Sequence, residues 1–167
     1  MKRVCAWCRR NMGAVHSGIQ PESAITHGIC EDCANNLFGD MGMKLTAFLD
    51  SLAAPVLLVD STGSVKTANQ QAQALLRKDL PDIEGHQPGD VFECVHAETP
   101  EGCGHTIHCG GCAIRRTVMD TFRSGKSHVN VPAFVNRGTS GDGWKVDLLI
   151  STEKVKDVVL LRIDEFG

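Results

Sequence analysis

Eight cysteines in 167 residues, falling into two groups of four, constrain this chain more than any other feature. Cys5, Cys8, Cys30 and Cys33 lie in the first 40 residues. Cys94, Cys103, Cys109 and Cys112 lie in the middle of the remainder. Clustered thiols in a reducing compartment bind metal or carry redox chemistry more often than they form structural disulfides. Met1-Lys2-Arg3 runs directly into Cys5, Trp7, Cys8, Arg9 and Arg10, without the apolar stretch a signal peptide needs. No apolar run approaches the roughly 20 residues of a membrane helix. The expected location is cytoplasmic, with no membrane partner.

The N-terminal spacing is C-x2-C-x21-C-x2-C. Each C-x2-C pair sets two thiolates on one tight turn, and two such turns complete a tetrahedron suited to Zn²⁺. A segment of about 38 residues buries too little core to fold alone, so a structural metal has a physical motive. Lys2, Arg3, Arg9 and Arg10 are near enough in sequence to offset four thiolates. A dithiol redox site at Cys5-Ala6-Trp7-Cys8 would need a βαβ context, which is absent, and would leave Cys30 and Cys33 without a role. With four thiolates present, His27 is expected beside the site or on the surface.

The central spacing is Cys94-x8-Cys103-x5-Cys109-x2-Cys112, interleaved with His96, His105 and His108. Gly102, Gly104, Gly110 and Gly111 let backbone N–H groups approach the sulfurs, and Arg115 and Arg116 supply positive charge. Three readings compete: an iron–sulfur cluster, a second Zn²⁺ site that staples a long loop, and free thiols forming a disulfide switch. The spacing matches neither common ferredoxin pattern. Covalent c-type haem is disfavoured because no C-x-x-C is followed by His. A Cys109–His108 nucleophile pair lacks a third group to orient it, so no enzyme activity is expected.

The rest of the chain reads as an α+β domain. Leu45, Phe48, Leu49 and Leu52 recur at helical spacing over 44–52, after a break at 39–43. Val56-Leu57-Leu58-Val59 reads as a buried strand, Asp60-Ser61-Thr62-Gly63 as a turn and 64–67 as a second strand. Asn69 is expected to cap a helix through Lys78 with Ala72, Leu75 and Leu76 on its apolar face. Residues 79–90, with Pro81, Gly85, Pro88 and Gly89, read as loop or short helical turns. A helix over 113–123 carries Ile114, Val118, Met119 and Phe122. Strands follow near 127–135, 144–151 and 157–163, with turns at 138–143 and 153–156. The expectation is a five-stranded antiparallel sheet with helices on one face. A net charge of -3, 5% aromatic residues and no Tyr give no basic stripe or stacking platform for nucleic acid.

Two resemblances rest on quoted residues. Phe48-Leu49-Asp50-Ser51-Leu52-Ala53-Ala54-Pro55-Val56-Leu57-Leu58-Val59-Asp60, continued by Gly63-Ser64-Val65-Lys66-Thr67-Ala68-Asn69, resembles the opening of a PAS domain over about 44–166. Cys5-Ala6-Trp7-Cys8-Arg9 and Thr26-His27-Gly28-Ile29-Cys30-Glu31-Asp32-Cys33 resemble a cysteine module found beside bacterial PAS and kinase domains. The first implies sensing or scaffolding and frequent homodimers; the cysteine-rich insert departs from most PAS domains, so their usual ligands do not carry over. The expected organisation is a zinc-ribbon-like module over 1–38, a linker and helix over 39–52, and a PAS-like domain over 53–167 with the insert at 94–112. No output motif follows the last strand, so signalling is expected through a protein partner such as a kinase or regulator. The function carried forward is a non-catalytic, redox- or oxygen-responsive sensor whose central centre is iron–sulfur. The alternatives are a structural or interaction module with two zinc sites and a thiol–disulfide switch.

Overall fold

The computed structural model describes residues 1–14, 25–34, 43–138 and 142–167. The expected break at 39–43 lies, except for Met43, outside the described residues, as does the middle of the expected turn at 138–143. The chain divides into two compact units, Met1–Ala53 and Ala54–Gly167.

The first unit holds a three-stranded sheet in the order β2-β1-β3, made of β1 (Lys2–Cys5), β2 (Asn11–Ala14) and β3 (Ile25–Gly28). Strand β1 runs antiparallel to β2 and parallel to β3. Helix α1 (Met43–Ser51) follows within the same unit, close to the span its apolar spacing predicts. Phe48 is buried and packs against Trp7 with ring centroids 5.8 Å apart.

The second unit is a five-stranded antiparallel sheet in the order β5-β4-β8-β7-β6, as expected. Its strands are β4 (Val56–Val59), β5 (Val65–Ala68), β6 (His128–Arg137), β7 (Trp144–Val155) and β8 (Val158–Phe166). Helices α2 (Gln70–Leu76), α3 (Pro88–Val91) and α4 (Ala113–Ser124) lie between β5 and β6 in the chain. One sheet face presents Leu57, Val59, Val65, Ala133, Val135, Leu148, Ile150, Val159, Leu161 and Ile163. These close a single core with Ala72, Leu76, Val91, Phe92, Ile114 and Val118 from the helical side. Alternation along the strands puts every second residue on that face.

Three details depart from the sequence reading. Helix α2 stops at Leu76 rather than Lys78, because Arg77 turns left-handed (φ 54°) and its N–H bonds the Gln73 carbonyl. The last hairpin is tighter than the expected four-residue turn: β7 runs to Val155 and β8 restarts at Val158, with Lys156 left-handed at φ 53°. A two-residue connection suits the strand twist and lets both strands extend. On α4, Thr117 and Thr121 are buried beside Ile114 and Val118, and the Thr121 and Thr152 hydroxyls meet at 2.6 Å. Pro132 is tolerated because β6 is an edge strand that pairs only with β7.

Candidate metal centres

The N-terminal cysteines converge as their spacing predicts. Cys5 ends β1, and the chain then turns back through residues 6–8. The Arg9 N–H bonds the Cys5 carbonyl at 2.9 Å, and the Cys5 N–H bonds the Arg10 carbonyl at 2.8 Å. Arg9 takes the left-handed conformation that such a reversal requires, at φ 61°. Cys30 follows β3 and Cys33 lies on the helical turn 31–34. The parallel β1–β3 pairing, with Cys5 opposite Gly28, carries the second cysteine pair up to the first.

The four sulfurs lie within 4.8 Å of one another. Cys8 and Cys30 are 3.6 Å apart, and the Cys30 N–H donates to Cys5 Sγ at 3.4 Å. A tetrahedral ion with metal–sulfur bonds of about 2.3 Å spaces its sulfurs by about 3.8 Å. The donor set therefore fits one ion. Burial raises the Cys5 thiol, but N–H groups of Cys8, Cys30 and Trp7 outweigh it and bring Cys5 down to about 6. Burial, with hydrogen bonds from Cys30, Cys8 and Cys5, pushes Cys33 up. Thiol ligands bind metal as thiolates, so a cation at such a site displaces thiol protons. Of the nearby cations, Arg10 pairs with Asp32 and feels the sulfurs of Cys30 and Cys8. His27 is exposed on β3.

The central cysteines behave differently. Among the described residues, the N-terminal four are the one group of three or more His, Cys, Asp or Glu whose ligand atoms fall within 4.8 Å of one another. Cys94, Cys103, Cys109 and Cys112 are more widely set, yet all four line a single cavity of about 240 Å³. His96 and His108 line it too, with Ile114, Val118, Met119 and Val135 on its apolar side. His105 is exposed.

Separate elements bring each thiol to the cavity. Cys94 follows α3, and its N–H bonds the Gly89 carbonyl at 2.7 Å. Cys103 lies between Gly102 and Gly104, both at positive φ (74° and 89°), so the chain folds tightly on either side of it. Cys109 opens a short 3₁₀ turn (Cys109–Gly111), and Cys112 caps α4, where the helix dipole favours negative charge.

The thiols are also electrostatically unequal. Burial raises Cys103 to about 11, against the Gly89 N–H that favours its thiolate. For Cys109, burial is outweighed by the Thr106 hydroxyl and N–H, the Gly104 N–H and the Arg115 charge, so its pKa is lowered. Gly104 N and Thr106 Oγ1 both lie 3.2 Å from Cys109 Sγ. The rings of His96 and His108 stack with centroids 4.1 Å apart, and burial plus the neighbouring His108 charge lowers His96. Thr106 and the stacking of the histidines had no signal in the sequence. Both depend on how the loop closes.

The loop is tied to the end of the sheet. Arg137 Nε donates to the Phe92 carbonyl at 2.8 Å, two residues before Cys94. The same guanidinium lies 5.3 Å from the Phe166 ring centre, and Phe92 and Phe166 stack at 6.4 Å.

The second unit is thus a five-stranded antiparallel sheet with helices on one face and a thiol-lined cavity. A PAS domain family model matches residues 43–108, which takes in α1, β4, β5, α2 and most of the cysteine insert. Among solved structures, the photoactive yellow protein domain of the sensor histidine kinase Ppr from Rhodospirillum centenum aligns at 17% identity with TM-score 0.43. It covers 79% of this chain and 99% of its own. The PAS domain of the Cronobacter turicensis RpfR quorum-sensing receptor, in complex with BDSF, aligns at 16% and TM-score 0.44, covering 67% and 92%. A domain of a sensory box sensor histidine kinase/response regulator from Geobacter sulfurreducens aligns at 13% and TM-score 0.44, covering 71% and 89%. The search of curated proteins gave no match. No helix among the described residues is long and apolar enough to cross a membrane.

Proposed function

We propose that this chain is a non-catalytic regulatory sensor built on a PAS domain. In this reading the N-terminal cysteines hold a structural Zn²⁺, and the central cysteines hold an iron–sulfur cluster that responds to oxygen or redox state. The observation that carries the reading is the contrast between the two thiol sets. Four sulfurs gathered within 4.8 Å suit one tetrahedral ion, which has no redox chemistry. Four sulfurs spread around one cavity of about 240 Å³ suit a centre in which each thiolate binds a different metal atom. N–H and hydroxyl donors at Cys109, with Arg115 beside it, are the kind of second layer that tunes such a centre.

Cys112 at the start of α4 and Cys94, two residues after the Phe92 of the Phe92–Arg137–Phe166 contact, would hold such a group and would couple its presence to the helix and to the end of the sheet. Both routes lead to the sheet, whose altered surface a kinase or other regulator would read, in the cytoplasm and from a homodimer. A two-state loop of this kind is what a switch needs. The thiol–disulfide switch is the second reading, favoured by the lowered Cys109 pKa.

The test is metal and sulfide analysis with visible spectra of protein purified without oxygen. The cluster reading expects iron and acid-labile sulfide, a brown colour that bleaches on reduction, and loss of both in Cys109→Ser and Cys112→Ser while zinc is retained. A colourless protein with two zinc ions sinks it. Colourless protein with one zinc and rapidly titrating central thiols moves the case to the disulfide switch.

A further inference from the structure

Gly89 lies on the short helix α3, in a Pro-Gly pair whose residue types announce only a loop or a short helical turn. Its backbone is helical and not left-handed, so its conformation does not call for glycine. Glycine in a helical turn is destabilising by roughly 0.5–1 kcal/mol relative to alanine. The reason for its presence is steric. A Cβ built on Gly89 would lie 2.5 Å from Cys103 Sγ, 3.0 Å from Cys103 Cβ and 3.3 Å from Ala97 Cβ. The sulfur occupies the space a side chain would fill.

Gly89 also holds both neighbours through its backbone. Its N–H faces the Cys103 sulfur, and its carbonyl accepts the Cys94 N–H at 2.7 Å. Cys94 and Cys103 are nine residues apart, and α3 is the element that meets both.

We propose that Gly89 is the positioning residue of the central thiol site: its missing side chain is the seat of Cys103, and its two backbone groups fix Cys103 and Cys94 at one wall of the cavity. The inference rests on the metal-site reading above. Adding one methyl at 89 drives Cys103 out of the cavity and leaves three thiols. Residues that orient ligands cost roughly 10–100-fold in metal affinity when altered.

The experiment compares wild type, Gly89→Ala, Cys103→Ala and the double variant. The readouts are iron, sulfide and zinc content after purification without oxygen, and far-UV circular dichroism melts. Gly89→Ala is expected to fall to the central metal content of Cys103→Ala, with N-terminal zinc kept. The double variant is expected to match Cys103→Ala alone, because removing the sulfur removes the 2.5 Å contact and leaves only the 3.0 Å and 3.3 Å contacts to the Cβ atoms of residues 103 and 97, which a shift of a few tenths of an ångström relieves. If Gly89→Ala unfolds, the same logic expects the double variant to refold. Wild-type metal in Gly89→Ala, or a loss that adds to that of Cys103→Ala, overturns the role of Gly89 and leaves the site standing. Wild-type central metal in Cys103→Ala overturns the site reading and this inference with it.

Discussion

Replacing Asn69 by Ala removes the most connected buried side chain at the opening of the second unit. The carboxamide is fully buried. Its Oδ1 accepts the N–H of Ala72 at 3.0 Å, capping α2, and the N–H of Val56 at 2.9 Å, at the start of β4. Its Nδ2 donates to the Ala54 carbonyl at 2.9 Å. Truncation therefore strands two donors and one acceptor at once. Loss of the cap costs about 1 kcal/mol. Each of the other two groups, left without a partner away from water, costs about 1–1.5 kcal/mol at the lower end of the usual range. The sum is about 3–4 kcal/mol. For a unit of this size that lowers the melting midpoint by roughly 12–16 °C, at about 4 °C per kcal/mol. The assay is urea unfolding followed by circular dichroism, with the denaturant slope checked for constancy. Asn69→Ser separates the parts, because a short hydroxyl restores the helix cap but does not span to Ala54 and Val56. It is expected to recover about 1 kcal/mol. A loss below about 1 kcal/mol in the Ala variant, or a Ser variant as stable as wild type, would refute the claim that the strand contacts matter.

Two further outcomes follow from the same structure. Asp60 accepts from the Thr62 N–H and hydroxyl and from the Ser64 N–H, and pairs with Lys66 at 3.2 Å; against the raising effect of burial, these hold its carboxyl below the usual range. A depressed folded pKa gives stability that is complete above the unfolded value of about 3.9 and is lost as pH falls through the folded one. Asp60→Ala should therefore cost roughly 1.5–3 kcal/mol at pH 7 and progressively less below about pH 4, measured by urea unfolding across pH; an equal loss at pH 7 and pH 2.5 would count against it. Chelation, or Cys5→Ser, should abolish amide protection in β1–β3 while leaving β4–β8 protected, since structural zinc supplies about 10–16 kcal/mol to small modules; unchanged protection in β1–β3 by hydrogen exchange would show that the sheet stands without metal.

The parts of the site legible in the sequence are those set by local geometry. Two residues between cysteines confine both thiols to one turn, so the Cys5–Cys8 and Cys30–Cys33 pairs are readable from spacing as thiol pairs that can converge on one centre. Asn69 was readable as a cap because a polar side chain stood directly before an apolar helical face. The central group was readable only as a cluster. Gaps of eight and five residues impose no shared turn, and the same spacing serves one ion, a larger centre or free thiols.

Tertiary structure decided the remainder. The strand order β5-β4-β8-β7-β6 depends on contacts between segments about a hundred residues apart. The difference between a tight thiol set and a cavity-lining one arises from where α3, the 3₁₀ turn and the start of α4 come to rest. Gly89 shows the limit most clearly. In the sequence Pro88-Gly89 is a breaker like any other, because the atom that excludes its side chain, Cys103 Sγ, belongs to a residue fourteen positions away. Periodicity and spacing act through bonded neighbours and are written in the chain. Excluded volume between distant residues exists only once the chain has closed.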